Sequence, residues 1–96
     1  MPEMDEQAIG AALEKCPDWQ RDGTKIIREL RFEDFATAFA FMTQCAMVFE
    51  KYDHHPDWQN SYNRIRISLT THSCKGLSDK DFICAAAIDI IISKLR

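Results

Sequence analysis

Hydrophobic residues along this chain recur at helical spacing in three segments and alternate with polar residues in others. The first helical segment, 7–15, ends before Pro17, because a proline ring disfavours helix in the residue that precedes it. Asp22-Gly23 is a turn signal, and apolar residues alternate after it over 25–32. This pattern predicts a short helix followed by two antiparallel strands joined at the turn.

The longest apolar segment begins at Asp34 and carries two helical stripes. The first has steps of four, three, four and three and consists of Phe35, Phe39, Met42, Ala46 and Phe49. The second consists of Ala38, Phe41, Cys45 and Val48. Because two stripes are wider than one sheet can cover, we predict that this long helix also packs against a neighbouring subunit. A helix fully buried within one subunit is the alternative.

Proline also marks the end of this long helix. Pro56 pushes the residue before it toward extended backbone, so the helix should end near Tyr52 or Asp53. Apolar and polar residues then alternate over 64–70, which predicts a strand with one face in the core. The segment 57–62 should pair with that strand or lead into it.

The last helix is predicted over 79–94. Gly76 supplies the turn before it, and Ser78 with Asp81 resembles a capping box, in which two residues satisfy each other's free backbone N–H groups. The resulting order is helix, strand, strand, helix, strand, strand, helix. This order favours an α+β fold, with an antiparallel sheet and the helices gathered on one face.

Length and composition predict a single domain over 1–96. Of the 96 residues, 46% are hydrophobic and 28% are charged, and few are Pro or Gly. A domain of this size buries only about 60–65% of the surface that its unfolded chain exposes, so sharing apolar faces between subunits would add stability. Homo-oligomerisation is therefore expected.

Charge and hydropathy argue against several classes of partner. The formal net charge is −3 and the basic residues are scattered, so we expect no direct nucleic-acid binding. No run approaches the roughly 20 apolar residues of a membrane helix, and the acidic opening resembles no secretory signal. Four widely spaced cysteines without a C-x-x-C pair suggest reduced, buried thiols. We expect a soluble cytoplasmic protein, with the nucleus as a second location.

The three histidines, His54, His55 and His72, lie close together in the sequence. Imidazole titrates near neutrality, so two or three in one pocket could exchange protons with a substrate. Isolated surface histidines are the plain alternative. Zinc binding is another, but adjacent side chains tend to point apart and no H-x-H or H-E-x-x-H pattern is present. We therefore expect no metal.

The segment around the paired histidines resembles the signature of the pterin-4a-carbinolamine dehydratase family. That segment reads Glu50-Lys51-Tyr52-Asp53-His54-His55-Pro56. In the family's order and spacing follow Trp58, Tyr62, the strand 65–71, His72 and Gly76-Leu77-Ser78-Asp79-Lys80-Asp81. Upstream, the likeness extends through Trp19 and Phe32-Glu33-Asp34-Phe35. A lone His-His-Pro would be a weak indication, whereas this ordered set is highly specific.

The resemblance implies both a fold and a reaction. The implied fold is α+β, a four-stranded antiparallel sheet with three helices packed on one face, assembled as a homodimer or homotetramer. The implied activity is that of a hydro-lyase in tetrahydrobiopterin recycling, which dehydrates 4a-hydroxytetrahydrobiopterin to quinonoid dihydropterin without metal or organic cofactor. This elimination needs an acid at the departing hydroxyl and a base at N5, and imidazole suits both.

The resemblance also implies roles for individual residues. The candidate catalytic residues are His54, His55, His72 and Glu50, and the candidate substrate-binding residues are His55, Pro56, Trp58 and Asp81. His54 and His72 are expected to transfer the proton to the hydroxyl, and His55 to bind and orient the ring, although these roles could be exchanged. Glu50, one helical turn before His54, could stabilise its imidazolium; a solvated carboxylate is the alternative.

An interaction module is the alternative function. Some family members serve as dimerisation cofactors, or transcriptional coactivators, of a homeodomain transcription factor through the apolar helix surface. This hypothesis predicts that Phe39, Met42, Cys45 or a neighbour contacts another protein. For Trp19 and Trp58, core packing is the alternative to a place in the wall of the site.

Overall fold

The computed structural model of this chain describes residues 2–95. Its main elements are α1 Glu6–Glu14, β1 Gln20–Asp22, β2 Lys25–Arg31, α2 Phe35–Tyr52, β3 Asp57–Ser61, β4 Arg64–Leu69 and α3 Asp79–Leu95. A 3-10 helix, His72–Cys74, follows β4 and was not expected from the sequence pattern. The predicted element order and the α+β fold class are confirmed.

The four strands form one antiparallel sheet in the order β1-β2-β4-β3. Side chains alternate across each strand, so one face of the sheet is apolar. The buried apolar residues of the two central strands are Ile26, Leu30, Ile65, Ile67 and Leu69. The helices pack against this face, with Ala38, Phe41, Cys45 and Phe49 from α2 and Cys84, Ala85, Ile88 and Ile92 from α3 in the core.

Helix α2 presents one of its two stripes to the core and leaves much of the other on the surface. Ala38, Phe41 and Cys45 of the second stripe are buried, whereas Phe39 of the first stripe is 54% exposed. The alternative of a helix fully buried within one subunit is therefore wrong. Packing of the exposed stripe on a neighbouring subunit stays a prediction.

Aspartates cap the N-termini of α1 and α2. The side chain of Asp5 accepts a hydrogen bond from the Ala8 N–H at 2.8 Å, and that of Asp34 accepts one from the Thr37 N–H at 2.8 Å. The backbone hydrogen bond from Thr37 holds the pKa of Asp34 below its ordinary value. These caps fix where each helix starts.

Trp19 and three of the four cysteines, Cys16, Cys45 and Cys84, are core residues. All four cysteines are free thiols, and burial raises the pKa of Cys45 to about 12 and that of Cys84 to about 11. The indole N–H of buried Trp19 donates to Asp89 Oδ1 at 2.9 Å, so core packing describes Trp19. Across residues 2–95, no helix has the length and apolar character needed to cross a membrane.

Candidate functional site

A cleft of about 300 Å³ opens where the end of α2 meets the start of α3. Its lining residues are Asp53, His54, His55, Thr70, Thr71, His72, Ser73 and Lys80. They come from the end of α2, the loop after β4 and the first turn of α3. The fold thus gathers all three histidines around one opening. A larger groove of about 580 Å³ between α1 and α3 is lined mainly by apolar side chains and offers no comparable proton chemistry.

The end of α2 determines where the paired histidines point. Asp53 adopts a left-handed backbone conformation with φ of 50°, and the N–H of His54 donates to the Phe49 carbonyl at 3.0 Å. After this sharp stop the two neighbouring side chains diverge. His54 is only 8% exposed, whereas the side chain of His55 is 56% exposed.

His54 is hydrogen-bonded to a buried carboxylate. Its Nε2 lies 2.6 Å from Asp81 Oδ1, and Asp81 is fully buried. The other carboxylate oxygen, Oδ2, accepts hydrogen bonds from Thr71 Oγ1 at 2.8 Å and from the Ser78 N–H at 2.9 Å. Asp81 also lies in the first turn of α3, where the helix dipole favours negative charge. Because an ionised carboxylate only accepts hydrogen bonds, Nε2 of His54 carries the proton in this pair.

Glu50 pairs with His55, not with His54. The Glu50 Oε1 atom lies 2.7 Å from His55 Nε2, and both side chains are mostly exposed. The predicted contact of Glu50 with His54 is therefore wrong. The physical reason for the different pairing is Asp53, whose left-handed backbone ends the helical spacing on which that prediction depended. Solvent screening makes such an exposed pair weak, so it orients His55 more than it stabilises the fold.

His72 and Lys80 complete the rim of the cleft. His72 begins the 3-10 helix, and the loop that carries it is closed by a backbone hydrogen bond from the Thr71 N–H to the Gly76 carbonyl at 2.9 Å. Lys80, which was not among the candidate site residues, lines the same cleft. The sequence feature that could have identified Lys80 as a site residue is its position next to Asp81 in the first turn of α3.

Three of the four predicted substrate-binding residues do not line the cleft, and one of these is Asp81, which is fully buried and contacts His54 instead. Pro56 lies half-buried in the connection from α2 to β3, and Trp58 packs edge-on against Phe49 with ring centroids 5.3 Å apart. Packing on the core thus describes Trp58 better than a wall of the site. Conversely, buried Thr71, whose hydroxyl contacts Asp81, was not predicted to be a site residue.

The acidic and imidazole groups of the site are arranged in pairs. One pair is His54 with Asp81 and the other is His55 with Glu50. Within residues 2–95, no three His, Cys, Asp or Glu side chains are grouped so that they could hold a metal ion. Imidazole and carboxylate side chains are groups that can donate and accept protons, and this site combines both.

Comparisons with known proteins agree on one family. A family profile described as Pterin 4 alpha carbinolamine dehydratase matches residues 2–91. A Prochlorococcus marinus protein provisionally named pterin-4-alpha-carbinolamine dehydratase is 43% identical over 90 residues, covering 94% of this chain and 95% of that protein. A Chloroflexus aurantiacus protein with the same provisional name is 45% identical over 92 residues, covering 96% and 99%. The crystal structure of a transcriptional coactivator/pterin dehydratase from Brucella melitensis matches with a TM-score of 0.90 at 40% identity, covering 93% and 97%.

Proposed function

The chain belongs to the pterin 4 alpha carbinolamine dehydratase family, and from this premise we propose that it dehydrates 4a-hydroxytetrahydrobiopterin to quinonoid dihydropterin in tetrahydrobiopterin recycling. One observation carries the proposal. Three histidines line a single cleft, and His54 among them is backed by the buried carboxylate of Asp81. A buried carboxylate behind an imidazole orients the ring and stabilises its protonated form, which an acid catalyst requires.

The elimination divides into two proton transfers. An imidazolium gives a proton to the hydroxyl at C4a, the C–O bond breaks with its electron pair leaving on water, and N5 loses its proton to a base. The N5 electrons then form the C4a=N5 double bond, so atoms and charge balance. We assign the transfer of the proton to the hydroxyl to His54 and His72, which line the cleft from the end of α2 and from the 3-10 helix after β4.

The remaining cleft residues bind the ring. His55, held by Glu50 at 2.7 Å, projects from the end of α2 with its side chain 56% exposed, which leaves its ring free to contact a pterin. Lys80 adds a positive charge that can meet a carbonyl oxygen or ring π-face of the substrate. Pro56 and Trp58 do not line the cleft, and Trp58 packs on Phe49 of α2, so their contribution to binding is indirect.

The test is the dehydration of freshly generated 4a-hydroxytetrahydropterin, followed by ultraviolet absorbance. We expect the unmodified protein to accelerate the reaction and a His54→Ala, His72→Ala double variant of confirmed fold to lose the acceleration. Arg64→Ala is the matched control, because Arg64 is exposed at the opposite end of β4. Absence of acceleration by the unmodified protein would overturn the proposal.

A protein-interaction role is the second candidate, and the exposed apolar stripe of α2 favours it. Phe35 and Phe39 of that stripe are exposed large hydrophobic residues, and such patches mark protein contacts. We propose that this stripe joins copies of the chain into a homodimer or homotetramer. We also propose that its second partner is a homeodomain transcription factor, for which the chain acts as dimerisation cofactor or transcriptional coactivator. The Brucella melitensis relative carries the coactivator description. Sedimentation of the purified chain alone and with such a factor tests both parts.

We also propose that the protein works in the cytoplasm, with the nucleus as a second location. The free cysteines support this, because unpaired thiols persist in reducing compartments. Imaging of a fluorescent fusion in the source cell tests the location, and export of the fusion would contradict it.

A further inference from the structure

We propose that Thr71 is a positioning residue, which holds the Asp81 carboxylate so that Nδ1 of His54 becomes the atom that exchanges protons with the substrate. This inference rests on the proposed dehydration and deepens it. Thr71 is mostly buried, is one of the residues that line the cleft, and donates its hydroxyl proton to Asp81. Its role is therefore exerted through Asp81.

The hydrogen bonds behind His54 run in one direction only. Thr71 Oγ1 lies 2.8 Å from Asp81 Oδ2 and 2.7 Å from Ser78 Oγ. Thr71 has one hydroxyl proton, and an ionised carboxylate cannot supply another, so that proton goes to Asp81 and Thr71 accepts the proton of Ser78. Ser78 Oγ in turn accepts from the Lys80 N–H at 3.3 Å. The relay runs from the start of α3 to the carboxylate.

This relay leaves one carboxylate oxygen for His54. Asp81 Oδ2 already accepts from Thr71 Oγ1 and from the Ser78 N–H, whereas Oδ1 has His54 Nε2 as its hydrogen-bond partner. Ser78 and Asp81 are fully buried, so water does not compete for these bonds. The carboxylate is thereby fixed against rotation, and the proton of neutral His54 is fixed on Nε2.

The other ring nitrogen of His54 faces the cleft. Nδ1 forms no hydrogen bond with any residue in the described range 2–95. Every buried side-chain nitrogen and oxygen in that range has a hydrogen-bond partner, so Nδ1 is not buried. Nδ1 must therefore be accessible at the surface of the cleft that His54 lines. When His54 is neutral, Nδ1 is the base; when it is protonated, the Nδ1–H is the acid.

A variant can remove the hydroxyl while keeping the shape. Valine replaces the Thr71 hydroxyl with a methyl group, and the backbone pairing of Thr71 with Gly76 would hold the loop in place. Asp81 Oδ2 would then keep one donor, the Ser78 N–H, and the carboxylate could rotate. Serine restores the hydroxyl.

The experiment combines nitrogen-15 NMR of the His54 ring with dehydration kinetics on the full chain. For Thr71→Val we expect shifted ring-nitrogen resonances of His54, because a rotating carboxylate holds the Nε2–H less firmly, and a kcat lower by roughly tenfold with KM changed by less than about twofold. Thr71→Ser should restore both. Thr43→Val is the control, because the Thr43 hydroxyl bonds only within α2 and is exposed.

Unchanged ring shifts of His54 in Thr71→Val, or a Thr71→Ser variant that fails to restore them, would overturn the inference. If Thr71→Val does not fold, Thr71→Cys, with its weak S–H donor, should give an intermediate spectrum, and a spectrum equal to that of the unmodified protein would overturn it equally. The NMR measurement needs no substrate. A failure of the dehydration assay alone would therefore count against the proposed function, while the spectra still decide the role of Thr71.

Discussion

Replacing Asp81 by asparagine removes the charge behind His54 and keeps the shape of the side chain. The Ser78 N–H, 2.9 Å from Oδ2, can only donate, so the amide oxygen of the variant must take that side. The amide nitrogen then takes the side that lies 2.6 Å from His54 Nε2. Two donors would meet there, so neutral His54 must move its proton to Nδ1.

The protonated form of His54 cannot avoid this clash of two donors by moving a proton, because both of its ring nitrogens already carry one. It loses a hydrogen bond to a charged, fully buried partner, and such bonds contribute about 1.5–3 kcal/mol. With about 1.4 kcal/mol for each factor of ten, the acid form becomes less available by roughly 10- to 150-fold. We expect kcat to fall by this factor and KM to change by less than about twofold.

The assay is stopped-flow dehydration of 4a-hydroxytetrahydropterin, with circular dichroism to verify the fold. Asp79→Asn is the matched control, because it makes the same change at an exposed position of the same helical turn. It should retain the activity of the unmodified protein. A folded Asp81→Asn variant whose kcat stays within roughly threefold of the unmodified protein would refute the reasoning.

Three further predictions concern the oligomer, the thiols and the stability. Phe39→Asp should yield a folded monomer in sedimentation velocity, because burying the exposed half of each phenylalanine contributes on the order of 1 kcal/mol per chain; an unchanged oligomer would argue against the α2 interface. At pH 8, iodoacetamide should modify half-buried Cys74 before Cys45 and Cys84, whose pKa values of about 12 and 11 keep them protonated, as mass spectrometry can check. Burial raises the pKa of Asp89 above its ordinary 3.8, so the folded state binds this proton more tightly, and stability should fall as pH rises from 3.8 through the raised value. Urea unfolding should show this slope reduced in Asp89→Asn, and equal slopes would contradict it.

The sequence predicted that the three histidines could share one pocket better than it predicted their hydrogen-bond partners. The three histidines were identified from their residue type and the family signature, and they do line one cleft. The suggested contact of Glu50 with His54 required helical spacing to continue through Asp53, but Asp53 ends the helix and Glu50 pairs with His55. Thr71 gave no signal, because a threonine at the end of a strand resembles any other until its neighbours are known.

Local signals explain why the element boundaries were predictable. Four short signals each restrict the backbone within a residue or two, namely Pro17, Asp22-Gly23, Pro56 and Gly76. Between them, the spacing of apolar residues distinguishes helix from strand. These effects need no tertiary contact, so the sequence alone determined the order and type of the elements.

Only the tertiary structure decided how those elements meet. The sheet order β1-β2-β4-β3, and the choice of which α2 stripe enters the core, depend on the packing of distant segments. The hydrogen bond from His54 to Asp81 joins residues 27 positions apart, and it exists because the end of α2 and the start of α3 converge beside β4. Periodicity describes one segment at a time, whereas the orientation and environment of a catalytic group are set by side chains from several segments.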